Sequence, residues 1–171
     1  CADNQVDRNL YSAGGKIINY KNNKILFSVG EYLLSSKAQN LNSIMGKILS
    51  IDLNTSNYEI FSIGHRNPQG LIYLKDKDII LSTEHGPMGG DEINKIIKNN
   101  NYGWPIASYG EHYCKLRDPL STRCKDLYLK YPLKKSLKEF NFQEPIIYFD
   151  PSIGISEIIE VPVIFDNSDE K

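Results

Sequence analysis

The chain has 171 residues, of which 40% are hydrophobic and 24% charged, which is the composition of a globular protein with a core. Twenty Lys and Arg stand against 21 Asp and Glu, giving a formal charge of -1, so no basic excess calls for nucleic acid or an anionic membrane as partner. No apolar run approaches the ~20 residues that a membrane-spanning helix needs.

Residues 15–20 (GKIINY) and 24–29 (KILFSV) read as two strands, and Lys21-Asn22-Asn23 between them predicts a hairpin turn. Residues 46–53 (GKILSIDL) predict a third strand, and residues 58–63 a fourth after the polar stretch 54–57. Two more are expected at 70–74 and 78–83, joined across Lys75-Asp76-Lys77. Residues 92–98 predict another strand. A helix competes there, but Asn99-Asn100-Asn101 ends the segment in under two helical turns. An irregular region follows from Tyr102 to about Phe142. Its middle, 126–140, has room for a short helix, although Pro132 breaks it. Strands resume at 145–149, 155–161 and 163–165, and Pro162 restricts the last to an edge or bulge. The acidic end, 166–171, is expected to be disordered.

Repeated hairpins suggest an all-β sandwich, barrel or propeller, and periodicity does not choose among them. At about 40 to 50 residues per propeller blade, the length covers three to four blades over residues 1–165. Such an arc leaves strand edges unpaired, so an incomplete propeller is expected. The opening CADNQVDR lacks the apolar centre of a signal peptide. Cys1 is a candidate lipid-bearing residue, or simply the point where the chain was cut. Cys114 and Cys124 bracket a polar segment. A disulfide in an oxidising compartment and two thiols in a reducing one both fit. Only His112 lies near them, too few ligands for zinc. Asn54-Thr55-Ser56 is a formal glycosylation sequon.

Three polar stretches suit ligand chemistry. GHRNPQGL, at 64–71, packs donors at the start of a strand bent by Pro68 and Gly70. A guanidinium there can clamp a carboxylate with two bonds, or can cap neighbouring carbonyls in a solvated turn. Gly86-Pro87 can aim two consecutive carbonyls at one point, as a hard cation requires, or can serve as a flexible turn. Asp91 and Glu92 form an acidic pair after that turn and read as a turn acceptor and a solvated strand residue. Trp104 in YGWP reads as core.

The islands GGKIINYKNNKILFSVGE, AQNLNSIMGKILSIDL, GHRNPQGL and TEHGPMGGDEIN…NNYGWP, with a weaker EPIIYFDPSIGIS, together resemble the soluble glucose/sorbosone (aldose sugar) dehydrogenases. The resemblance implies a six-bladed β-propeller that uses pyrroloquinoline quinone (PQQ) and calcium to oxidise an aldose to its lactone, passing electrons to an external acceptor. It implies that Arg66 and Asn67 hold the quinone, with His85 in contact. The carbonyls of Gly86 and Pro87 would hold calcium, and Glu92 with the carbonyl of Tyr102 a second, structural calcium. A periplasmic or secreted location goes with that chemistry. Two positions depart from the pattern. Ser12 stands where the family has its catalytic histidine, and Glu31 where it has an assisting aspartate. Serine does not serve as a general base alone. Either Glu31 takes that role or the propeller is non-catalytic and binds a carbohydrate or a protein. The family's later basic residues of the cofactor cradle are missing, so the arc alone is expected to be inactive.

Overall fold

In the computed structural model the described residues are 11–161. They form two antiparallel four-stranded sheets, each following the chain order without a crossover. The first contains β1 (Gly14–Tyr20), β2 (Lys24–Val29), β3 (Lys47–Asp52) and β4 (Tyr58–Ile63). The second contains β5 (Pro68–Leu74), β6 (Ile79–Glu84), β7 (Asp91–Ile96) and β8 (Ile147–Phe149).

Local chemistry accounts for the hairpins. The predicted turn at 21–23 closes Tyr20 against Lys24, with Asn22 and Asn23 both left-handed, a conformation that asparagine tolerates well. Between β3 and β4 the Asp52 carboxylate accepts from the backbone N–H of Asn54 at 2.9 Å and Thr55 at 3.1 Å. This short polar loop fixes the register that puts Ile48 and Phe61 on the buried face.

Leu26, Ile48 and Phe61 from the first sheet, and Leu71, Ile80 and Ile96 from the second, join Tyr102 in one core. The two sheets therefore pack face to face, as successive blades do. Their first strands, β1 and β5, also lie side by side. Ser28 Oγ donates to Pro68 O at 2.8 Å, and Gly14 N donates to Asn67 Oδ1 at 3.1 Å, which ties the start of one blade to the start of the next.

The ammonium of Lys47 is fully buried. It donates to the carbonyls of Lys37, Ala38 and Met45 at 2.8 to 2.9 Å and so pins the loop between β2 and β3. Trp104, with Ala38 and Leu133, forms a second small core, as expected of a core tryptophan.

Three expectations need correction. Two blades are described where the repeat length leads to three or four, because the excursion between β7 and β8 consumes about a blade's worth of chain without building strands. That excursion holds α1 (Cys114–Arg117) and α2 (Thr122–Lys130), clasped by a Cys114–Cys124 disulfide. The helix begins earlier than the 126–140 window, because Ser121 caps it by accepting from Cys124 N at 3.2 Å, and it stops before Pro132. Residues 155–161 form no strand. The apolar pattern is present, but no strand pairs with them among the described residues, and Ile159 and Val161 are exposed. The segments 163–165 and 166–171, and Cys1, lie outside the described residues.

Candidate functional site

The loops before β1, before β5 and after β6 converge at the same end of the two blades. They line a cavity of about 580 Å³ that includes Ser12, Arg66, Asn67, His85, Gly86 and Pro87. Its size lies in the range of small-molecule and cofactor sites, roughly 300 to 1,000 Å³. Two glycines permit this convergence. A Cβ on Gly30 would lie 1.8 Å from Ser12 O, and one on Gly86 would lie 2.2 Å from Gly90 O. Neither position accepts a side chain without the loops separating.

Arg66 occupies the centre. Its Nη1 donates to His85 O at 3.0 Å and to Gly86 O at 2.6 Å, and its guanidinium carbon lies 5.4 Å from the Trp104 ring centre. Of its two sequence readings, the carbonyl cap is the arrangement formed here, across 19 and 20 residues of chain. The Arg66 backbone is fixed at both ends. Its carbonyl accepts from Glu31 N at 2.8 Å, and its N–H donates to the Glu84 carboxylate.

Glu84, just past the strand expected at 78–83, organises the site. One oxygen accepts from Arg66 N, and the other meets His65 Nδ1 at 2.9 Å. His65 Nε2 in turn faces Ser62 Oγ at 2.8 Å, and the ring stacks on Tyr102. The network assigns Nδ1–H as donor to the carboxylate. Ser62 and His65 are fully buried, so this serine–histidine–glutamate chain supports the Arg66 loop and is closed to substrate.

Asp91 closes the opposite wall. The fully buried carboxylate accepts from Gly86 N at 3.0 Å, from Ser152 Oγ, and from the N–H groups of Ile153, Gly154 and Ile155. Burial pushes its pKa up, but the Ser152, Ile155, Gly86 and Gly154 bonds outweigh burial and hold it below the ordinary aspartate value. Its expected role as a turn acceptor is present, extended to a segment some 60 residues away.

Behind Arg66 a second, very small cavity of about 10 Å³ touches Glu84, Glu92 and Tyr102, with room for one water-sized particle. Burial, and the nearby charge of Glu84, push the Glu92 carboxyl up to about 8. Glu92 accepts from Asn94 Nδ2 at 3.1 Å, while Asn94 Oδ1 is left without a partner among the described residues. A buried acid beside an orphaned oxygen suits a cation. Among the described residues, no group of three or more His, Cys, Asp or Glu side chains is arranged to hold a metal, so carbonyls would have to complete any shell there.

Glu31 is brought near Arg66 but turned away from the large cavity. Its carboxylate, almost fully buried, accepts from Leu33 N at 3.1 Å and Ser35 Oγ at 2.9 Å. Burial raises its pKa, and the Ser35 bond and Arg66 charge partly offset this. Ser12, with a left-handed backbone, lines the cavity itself.

A family model described as Glucose / Sorbosone dehydrogenase matches residues 3–162. Aldose sugar dehydrogenase YliI of Escherichia coli (strain K12) is 33% identical over 119 residues, which cover 62% of this chain and 32% of that protein. Quinoprotein glucose dehydrogenase B of Acinetobacter calcoaceticus is 37% identical over 99 residues, covering 48% of this chain and 20% of that one. The crystal structure of the soluble aldose sugar dehydrogenase from Escherichia coli in the apo form superposes with a TM-score of 0.66 at 27% identity, over 84% of this chain and 42% of that one. The chain thus spans about a third of the first of these relatives, and the fold is that of the β-propeller sugar dehydrogenases.

Proposed function

The chain belongs to the glucose/sorbosone dehydrogenase family, and from that premise we propose that it carries the quinone- and calcium-binding half of a PQQ-dependent aldose dehydrogenase. The observation that carries this reading is the meeting of Arg66, Asn67 and the Gly86-Pro87 turn around one cavity of about 580 Å³. The quinoprotein relative supports the choice of cofactor. When bound, PQQ supplies an ortho-quinone that takes a hydride from the sugar, and calcium sharpens its electrophilicity.

The chain's own residues supply binding and orientation. Arg66 offers a planar fork to a carboxylate, and Asn67 sits beside it with its Oδ1 already accepting from Gly14 N, so its amide N–H groups are what it would offer a ligand. His85, partly exposed at the cavity wall and 3.7 Å from the Asp91 carboxylate, is placed to contact the ligand. The Gly86 and Pro87 carbonyls would hold the first calcium, and Glu92 with Tyr102 the second. The Cys114–Cys124 bridge fits an oxidising compartment, hence the periplasm or the outside of the cell.

A second reading has a specific observation behind it. Oxidation of an aldose to its lactone must also remove the hydroxyl proton. Ser12, at the position where the family's pattern has its histidine, lines the cavity, and Glu31 spends its carboxylate on its own loop. A propeller that binds quinone or carbohydrate without turnover fits those two facts. Isothermal titration with PQQ, with and without calcium, tests the shared claim. We expect binding that weakens at least about tenfold when calcium is chelated, and no reduction of an artificial acceptor by this chain in the presence of glucose. Absence of PQQ binding under both conditions sinks the proposal, and sugar-dependent turnover would show that a base has been overlooked.

A further inference from the structure

We infer that the Arg66 guanidinium is a built-in cation that occupies the carbonyl turn until a divalent ion displaces it, so that metal binding is what releases Arg66 to an anionic ligand. The inference rests on the reading of Gly86 as a calcium-bearing carbonyl. Two consecutive carbonyls, His85 O and Gly86 O, converge on the single nitrogen Nη1 at 3.0 and 2.6 Å. Convergent carbonyl oxygens are what a hard cation seeks, and here a guanidinium has taken them.

The two cations cannot share the turn. Calcium sits about 2.3 to 2.6 Å from a ligand oxygen. An ion on Gly86 O and the Arg66 nitrogen on the same oxygen would thus lie within about 5 Å of each other. In a partly buried site such like-charge proximity is strongly unfavourable. The Arg66 backbone cannot retreat, because Glu84 and Glu31 hold its N–H and its carbonyl. The side chain must therefore swing, and the open space available to it is the large cavity that Arg66 already lines together with Asn67.

Without metal, then, the Nη1 arm of the fork that should clamp a carboxylate is held by the protein's own backbone. With metal it is delivered to the ligand side. The divalent ion and the anion consequently bind with positive coupling, and the coupling is reciprocal. The arrangement also enforces an order. Metal first prepares the anion site, whereas an anion arriving first has to pull Arg66 off both carbonyls.

Calorimetric titration with calcium chloride of the unmodified chain, Arg66→Met and Arg66→Lys tests this. Removal of the competing charge should make Arg66→Met bind calcium about tenfold more tightly than the unmodified chain, with Arg66→Lys, which keeps the charge, close to the unmodified value. Trp104 is the chain's one tryptophan, so calcium should also change its fluorescence in the unmodified chain as the guanidinium leaves its ring, with the calorimetric midpoint. Because Trp104 also lines the small cavity beside Glu92, the fluorescence is also read in Glu92→Gln, and there it decides the matter even if Arg66→Met does not fold. Equal calcium affinity in all three proteins, or calcium binding that leaves Trp104 emission unchanged, overturns the inference and leaves the calcium site standing. Absence of calcium binding in all three removes both the site and the inference.

Discussion

Glu84→Ala is expected to lose about 3 to 5 kcal/mol of unfolding free energy, the range for removing one partner from a buried ionic or charge-assisted network. The carboxylate is nearly fully buried and serves two donors, Arg66 N–H and His65 Nδ1. Its loss also frees His65 from the Ser62 and Tyr102 contacts that set the floor of the Arg66 loop. Glu84→Gln is a gentler test. The amide oxygen can serve one donor, but its NH₂ group then confronts the other, so about half the loss is expected, near 2 kcal/mol. Both variants should weaken PQQ binding through a slackened Arg66 loop, although neither removes a group that touches the ligand. Urea unfolding reads the stability change, with the slope held constant as the check for a two-state comparison. A midpoint that moves by less than about 1 kcal/mol equivalent in Glu84→Ala would mean that the buried network is not what holds the loop.

Lys47→Met is the second large effect. Methionine fills the volume of the lysine stem, which leaves the three acceptor carbonyls as the difference. Ala38 O and Lys37 O keep other partners, the N–H groups of Gly64 and Asn40, whereas Met45 O has none among the described residues, so one carbonyl is orphaned in the core. A loss of about 2 kcal/mol follows from one unsatisfied buried group and two weakened ones. The pH dependence separates the charge from the packing. Burial pushes the Lys47 ammonium down to about 8, against ~10.4 for an exposed lysine. Between those values the unfolded chain binds more protons than the folded one, so this residue makes stability rise with pH across that window. The rise should be absent in Lys47→Met, measured as the difference in unfolding free energy between the two proteins from pH 7.5 to 10. A slope that is the same in both would show that Lys47 is not the titrating group.

The strands that build the first blade were legible because each is short, rich in apolar residues and bounded by Asn- or Asp-bearing turns. Residues 15–20, 24–29, 46–53 and 58–63 match β1 to β4 within two residues at either end. The same pattern misleads at 155–161, since a short apolar segment says nothing of whether a neighbouring strand is there to pair. Arg66, Asn67, His85 and Gly86-Pro87, singled out by residue type, line one cavity. What stayed hidden is what these groups bond to. Arg66 reaches carbonyls about 20 residues along the chain, and Asp91 reaches N–H groups more than 60 residues away, distances at which no local pattern signals a contact. Glu84 carried one weak signal, a carboxylate continuing a strand that reads IILST. A charged residue at such a point is solvated more often than buried, and only the position of His65 shows otherwise.

Crystals of the chain grown with PQQ and calcium chloride test the central claim most directly. The account predicts the quinone in the cavity of about 580 Å³, with a carboxylate on Arg66 and Asn67 and the ion on the Gly86 and Pro87 carbonyls. A quinone bound elsewhere, with Arg66 still donating to Gly86 O and the cavity open, would contradict it.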